Sequence, residues 1–170
     1  AHLGCEILFE EGRIRDYLDD DSEDELIRRS ISHHSDYRIP QDFDERTTMY
    51  CNILRDADKV DILKVNCDFP LEEIYNATTK EIRNGEITDA VLEAFSERHT
   101  ILRSLKKTAV DNVPGHISLV FELVYDESLR QAVKQGYLDK MLAFESDNPD
   151  TQRKMKEVNR IMKEYISERL

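Results

Sequence analysis

Apolar residues recur with a helical period along most of the chain. Residues 1–9 already follow this pattern, and the segment 23–34 places Ile27, Ile31 and His34 at positions i, i+4 and i+7. Residues with that spacing lie on one face of an α-helix, because the helix turns by about 100° per residue. We therefore predict a helix over each segment, with His34 facing inward at the end of the second.

The longest periodic segment runs from residue 44 to residue 65 and predicts a central helix. Its apolar positions share one face: Tyr50, Ile53, Leu54, Ala57 and Val60. The same helical placement puts Asp61 inside this stripe and Asp58 at its edge. Because Pro40 restricts the residue before it to extended backbone, residues 35–43 are predicted to form a loop. Two carboxylates are thus expected to face a partly buried region.

The remainder of the chain predicts a series of shorter helices, with turns at Asn84-Gly85 and Pro114-Gly115. The predicted helical segments are 71–76, 88–98, 116–125, 127–134, 137–144 and 150–169. Phe121 is expected in the core, as aromatic residues on an apolar face usually are. His116 has no carboxylate or thiol at ligand spacing and is interpreted as a surface or capping residue. The pattern as a whole indicates an all-α fold.

Composition and charge support this fold class and narrow the function. Of the 170 residues, 39% are apolar and 35% are charged, which fits a single domain with long surface helices. The formal net charge of -12 makes the average surface repel phosphate backbones, so we expect no nucleic-acid partner. A small phosphorylated substrate stays compatible with this charge, because a metal ion can reverse the field inside one cleft.

The cysteines and the hydropathy of the chain bear on its location. Cys5, Cys51 and Cys67 lie far apart and form no C-x-x-C pair, which is typical of reduced thiols in a cytosolic protein. No segment approaches the length of a membrane span, and the first residues lack the pattern of an export signal. We expect a cytoplasmic protein with no membrane partner, and the sequence leaves self-association into a homo-oligomer open.

Two adjacent histidines and an aspartate supply the candidate chemistry. His33 and His34 end one predicted helix, and Asp58 lies on the apolar side of the next. An ionised carboxylate among apolar side chains costs several kcal/mol unless a cation or hydrogen-bond donors compensate it. Imidazole nitrogen and carboxylate oxygen together suit divalent metals such as Zn, Mn or Fe. A salt bridge for Asp58 and a hydrogen-bonded core position for His34 are the structural alternatives.

These residues stand in two strings that resemble the second half of an HD domain. The strings are Ser32-His33-His34-Ser35-Asp36 and Arg55-Asp56-Ala57-Asp58-Lys59-Val60-Asp61-Ile62-Leu63. The resemblance implies an HD-domain-like helical bundle that lacks its N-terminal helices over residues 1–66, followed by a helical C-terminal extension over residues 67–170. The opening metal ligands of that superfamily, a His and then a His-Asp pair, would precede this chain.

The resemblance also implies roles for individual residues. The last metal ligand of the family is an Asp in a helix of the form A-D-K/R-x-D, which maps onto Asp58, with Lys59 and Asp61 at the matching positions. In the binuclear branch a His-His pair adds ligands, which maps onto His33 and His34.

Two further positions complete the comparison with the family. Ser35 stands where a glutamate often follows the pair, which argues against a cyclic dinucleotide substrate. Ala1-His2-Leu3-Gly4 resembles the start of the family's H-A-x-x-G helix, with His2 beside the ligand position.

The function implied by the resemblance is metal-dependent hydrolysis of a nucleotide or another small phosphate ester. Asp58, His34 and Lys59 would be the catalytic residues, and the metal, Mn, Fe, Zn or Mg, would lower the pKa of an attacking water. Arg38 or Lys59 would offset phosphate charge, while Asp61 would orient a ligand. This chain alone would be weak or inactive. The alternative is a non-catalytic helical regulatory or interaction module.

Overall fold

The computed structural model describes residues 1–36 and 38–170, and it confirms the all-α prediction. Every regular element in those ranges is helical. The chain divides into two compact units, residues 1–58 and 59–170, and the boundary falls within the longest helix. None of the helices in the described ranges is both long enough and apolar enough to cross a lipid bilayer.

The first unit contains helices α1 (His2–Cys5), α2 (Asp24–His33) and the beginning of α3 (Glu45–Asp68). A π-helical turn over Glu6–Glu10 continues α1, and a 3-10 turn covers Arg13–Asp16. The predicted loop over residues 35–43 includes residue 37, which lies outside the described residues, and its neighbours form bends and turns. The carboxylate of Asp44 accepts hydrogen bonds from the amide and hydroxyl of Thr47 and so caps the start of α3.

The second unit contains seven further helices and three 3-10 turns within the described residues. The helices are α4 (Leu71–Tyr75), α5 (Thr79–Asn84), α6 (Asp89–Ser96), α7 (Asn112–Ile117), α8 (Asp126–Gln135), α9 (Tyr137–Leu142) and α10 (Pro149–Arg169). The 3-10 turns are Arg103–Leu105, Ala109–Asp111 and Ser118–Glu122. The segment 116–125, predicted as one helix, is thus divided between the end of α7 and a 3-10 turn. α5 was not predicted, and a capping box between Thr78 and Glu81 starts it.

The predicted apolar stripe is wrong, because the buried positions of α3 are Thr47, Cys51, Arg55, Asp56, Leu63 and Asn66. Tyr50 and Ile53 are 40% and 50% exposed, whereas Arg55 and Asp56 are 8% and 1% exposed. Asp61, expected inside the stripe, is exposed as well. The Arg55 guanidinium donates a hydrogen bond to the backbone carbonyl of Asp36, just beyond α2. This contact gives the buried guanidinium an acceptor at the end of α2.

The core of the second unit is apolar and lies between α6, α7, α9 and α10. Phe121 is buried as predicted, and its ring packs edge-on against Phe95 and Tyr165 at centroid distances of 5.0 and 4.9 Å. Edge-to-face packing of this kind adds to the free energy gained by burying the rings. α10 therefore holds the unit together along its length.

One charged side chain, Lys154 of α10, is buried at this core, with 1% of the residue exposed. Its ammonium donates to the Ile87 carbonyl at 2.6 Å and pairs with Asp89 at 2.6 Å and Asp150 at 2.8 Å. Desolvation opposes the charge, but the hydrogen bonds to the two aspartates outweigh it and raise the pKa of Lys154 to about 12. Lys154 therefore stays charged and fixes α10 to the segment that precedes α6.

We expect Lys154→Met to lower the free energy of unfolding by about 2–4 kcal/mol, because it leaves the Ile87 carbonyl without this donor. The cost stays in that range because the Asp89 side chain is 81% exposed and can be hydrated when its partner is lost. Urea denaturation followed by circular dichroism measures the change. Lys156→Met, at an exposed position of the same helix, is the matched control and should change stability by less than about 0.5 kcal/mol. Equal effects of the two substitutions would show that the buried charge is not a stabilising contact.

Candidate anion-binding cleft

The two predicted histidine ligands lie at the end of α2, and each is already hydrogen-bonded through Nδ1. His33 Nδ1 lies 2.6 Å from a carboxylate oxygen of Asp36, and the ring packs edge-on against Phe43 at a centroid distance of 5.2 Å. His34 Nδ1 lies 2.7 Å from the backbone carbonyl oxygen of Ile31. Both rings are half-buried. In each case the Nδ1 contact fixes the ring orientation.

The other predicted site residues occupy varied environments. Asp58 and Lys59 are half-buried, whereas Arg38, Asp61 and His2 are exposed. Within the described part of the chain, no three His, Cys, Asp or Glu side chains are grouped in a way that could hold a metal ion. The described residues therefore do not form a complete ligand set for the predicted metal, and the metal centre stays a prediction.

The second unit contains a cleft whose charged lining is mostly basic. A cleft of about 1100 Å³ lies between the α4–α5 region and the segment 103–112. Its charged lining consists of four basic side chains and one acidic one: Lys80, Arg103, Lys106, Lys107 and Glu81. The Glu81 carboxylate already accepts hydrogen bonds from the Thr78 amide and hydroxyl. The cleft is thus strongly basic within a chain whose net charge is -12.

Lys106 is the most enclosed of these basic residues. Its side chain passes directly over Gly115 of α7, so closely that a Cβ at position 115 would lie 2.5 Å from both Cε and Nζ of the lysine. Burial lowers the pKa of Lys106, and the positive charge of Arg103 lowers it further, while Asp111 acts in the opposite direction. An anion in the cleft would offset both unfavourable effects. The glycine therefore makes room for a partly desolvated cation that faces the cleft.

A buried carboxylate holds the backbone of the basic segment in place. Asp111 has no exposed surface, and it accepts hydrogen bonds from the amides of Lys107 and Thr108 at 2.8 and 3.0 Å. It also accepts from the amide and the hydroxyl of Thr88 at 2.8 and 2.6 Å. Four donors satisfy an ionised carboxylate well enough for it to be buried. The basic segment is therefore attached to the start of α6.

A polar network of three side chains lies beside the cleft. The Tyr75 hydroxyl donates to Asn66 Oδ1 at 2.6 Å, and His116 Nδ1 lies 2.8 Å from the same oxygen. Burial lowers the pKa of His116 to about 4, and the charge of Lys106 contributes to that shift. His116 is therefore neutral at pH 7, and its interpretation as a surface or capping residue is wrong. The tertiary contact with Asn66, fifty residues away along the chain, was not visible in the local pattern.

The sequence pattern did not predict this cleft, although the chain contains one basic run that lines it. The string Arg103-Ser104-Leu105-Lys106-Lys107 is a basic run in an otherwise acidic chain. Runs of charge usually form a solvated face, and a cleft requires a second wall. Here α4 and α5 supply that wall, and α5 was not predicted.

The comparisons with known proteins add no relative to this picture. No family model matches the chain, and neither the curated proteins nor the solved structures contain a significant match.

The buried His116 makes the stability of the protein dependent on pH. Because its pKa falls from 6.5 to about 4 on folding, the unfolded chain binds a proton between these values that the folded chain does not. Stability is therefore lost as the pH falls from 6.5 towards 4. We expect acidification from pH 7 to pH 4.5 to cost the wild type about 1–3 kcal/mol more than it costs His116→Gln, measured by urea denaturation.

His99 provides a control with the opposite sign. Hydrogen bonds to the Thr100 carbonyl and to Glu97 raise the pKa of His99. Its contribution to stability is therefore present below pH 6.5 and is lost as the pH rises. His99→Gln should lose more stability than the wild type on the same acidification. If His116→Gln kept the slope of the wild type, His116 would not be a buried neutral group.

Proposed function

We propose that this chain is a helical ligand-binding module whose basic cleft accepts a small phosphorylated molecule. The observation that supports this most strongly is the enclosed Lys106 ammonium, which lies over Gly115 and faces a cleft with three other basic side chains. Burial of this ammonium is unfavourable in the free protein and is offset only in part by the charge of Asp111. Binding of an anion would remove that cost.

Phosphate suits this cleft better than a single carboxylate does. A phosphate monoester carries nearly two negative charges at pH 7 and offers three acceptor oxygens. Lys106, Lys107 and Arg103 stand within one short segment of the lining, and the Lys107 ammonium also donates to the Ser104 carbonyl at 2.9 Å. Thr108 and Asn112 add neutral polar groups to the same lining.

The acidic character of the rest of the chain favours a small ligand over a nucleic acid. Nucleic-acid binding depends on neutralising many consecutive phosphates, and the net charge of -12 opposes that. A single basic cleft can instead hold one compact anion. The proposed ligand is a small phosphorylated molecule, as expected from the sequence. In this proposal it binds to the second unit and needs no metal.

Titration calorimetry with inorganic phosphate tests this proposal. We expect a dissociation constant on the order of millimolar, and Lys106→Met should weaken binding by about tenfold, equivalent to about 1.4 kcal/mol. Lys134→Met makes the same charge change at an exposed position of α8, and it should change the affinity by less than about twofold.

A second variant separates position from charge. Gly115→Ala keeps every charge of the cleft but displaces the end of the Lys106 side chain, because the added Cβ would occupy its place. We expect it to weaken phosphate binding by about threefold or more, with the helical circular dichroism spectrum unchanged. Equal affinity of wild type, Lys106→Met and Lys134→Met, or no binding at low salt, would contradict the proposal.

Metal-dependent phosphohydrolysis remains a second candidate function, and one feature of the structure favours it. His33 and His34 each engage an oxygen through Nδ1, which is the arrangement that leaves Nε2 of a metal-ligating histidine available. In this second proposal residues 1–66 form the latter half of an HD-like bundle in a cytoplasmic enzyme, and residues 67–170 are its extension. Asp58 would add a carboxylate oxygen. The ion, if bound, would supply a polarised water for attack on a phosphate ester.

Elemental analysis after loading with Mn, Fe, Zn or Mg tests this candidate. The proposal expects metal bound at one or two ions per chain and lost in Asp58→Ala, because each missing ligand reduces affinity and geometric definition. Asp61→Ala, at an exposed position of the same helix, should keep the metal. Hydrolysis of nucleoside monophosphates by the loaded protein would complete the case. Absence of metal under all four conditions, with phosphate still bound in the cleft, would leave the binding module as the function.

A further inference from the structure

Tyr75 of α4 lines the basic cleft and also a second cavity of about 200 Å³. The apolar lining of this second cavity comes from Leu71, Val113, Met141 and Phe144. A third cavity, of about 390 Å³, shares Leu71 and Phe144 with it. The basic cleft and the apolar cavity therefore share Tyr75 as a lining residue.

Several polar groups of the second cavity contact other parts of the protein, and its lining also includes the charged residue Lys140, whose ammonium lies 5.1 Å from the centroid of the Tyr137 ring. Asn66 donates to the Ile62 carbonyl at 2.8 Å and accepts from the Tyr75 hydroxyl. The Cys67 thiol contacts the Tyr137 carbonyl at 3.5 Å. Lys140 is a charged group that a polar occupant could approach, whereas an apolar group would gain by leaving water for the four apolar side chains.

The basic cleft and the apolar cavity are close together in the fold. Lys106 lies over Gly115 of α7, and Val113 of the same helix lines the apolar cavity. The charge of Lys106 also reaches His116, which is hydrogen-bonded to Asn66 in the wall of that cavity. A molecule with a phosphate beside Lys106 could therefore place its remaining part near Tyr75, which lines both spaces.

We propose that the ligand is the phosphate monoester of an apolar alcohol, with its phosphate in the basic cleft and its aryl or short alkyl group in the cavity behind Tyr75. This inference rests on the proposed function, because it deepens the description of the same site. The size is suitable, since a cavity of about 150 Å³ lined by apolar side chains can hold a benzene ring. A sugar or polyol phosphate would have to bury most of its hydroxyls against apolar side chains there.

Calorimetry with three probes tests the inference: inorganic phosphate, glycerol phosphate and phenyl phosphate. We expect phenyl phosphate to bind at least about tenfold more tightly than glycerol phosphate. Cys67→Phe fills the apolar cavity and should abolish this preference while leaving the affinity for inorganic phosphate within about twofold. Lys106→Met should weaken the binding of all three probes.

Alkylation of Cys67 gives a readout that needs no variant. We expect phenyl phosphate to slow the reaction of Cys67 with iodoacetamide by about fivefold at saturation, whereas glycerol phosphate should not. Cys5, a half-buried thiol of the first unit, serves as the internal reference in the same mass spectra. Equal affinities for the three probes, with no protection of Cys67, would overturn this inference and leave the phosphate cleft standing. Failure of all three to bind would overturn both.

Discussion

The buried charge of Lys154 is the contact on which the second unit depends. A lysine ammonium is costly to bury, and this one is retained because a backbone carbonyl and two carboxylates surround it. Those partners come from the first turn of α10 and from the segment before α6. Thr151, one turn earlier in α10, donates to the Gly85 carbonyl and accepts from the Ile87 amide. The start of α10 and residues 85–89 are therefore connected by several polar contacts.

The position of the basic cleft depends on these contacts between α10 and residues 85–89. Thr88, within residues 85–89, donates two hydrogen bonds to the buried Asp111. Asp111 in turn holds the amides of Lys107 and Thr108. A continuous series of satisfied polar contacts thus runs from α10 to the segment that lines the cleft. A backbone held in this way would reduce the conformational entropy that the segment loses on binding the proposed anion.

The two units use buried charge in different ways. In the first unit, Arg55 binds carbonyl oxygens near the end of α2, where backbone acceptors lack helical partners. In the second unit, Lys154 binds carboxylates as well as a carbonyl. Lys106 differs from both, because it is partly buried, lines the cleft and has its pKa lowered by burial. That contrast is the basis for proposing Lys106 as a ligand-binding cation.

The sequence by itself determined the helical class, most helix positions and the place of the two histidines at the end of α2, because these depend on local period, caps and breaks. It did not determine which face of α3 is buried, since contacts such as that of Arg55 are made to residues about twenty positions earlier. Only the tertiary structure showed that Lys80 lines the same cleft as Arg103 and Lys106. Only the tertiary structure showed the hydrogen bond between Asn66 and His116. Contacts between residues distant along the chain have no local signal, because they depend on how whole helices pack rather than on the spacing within any one of them.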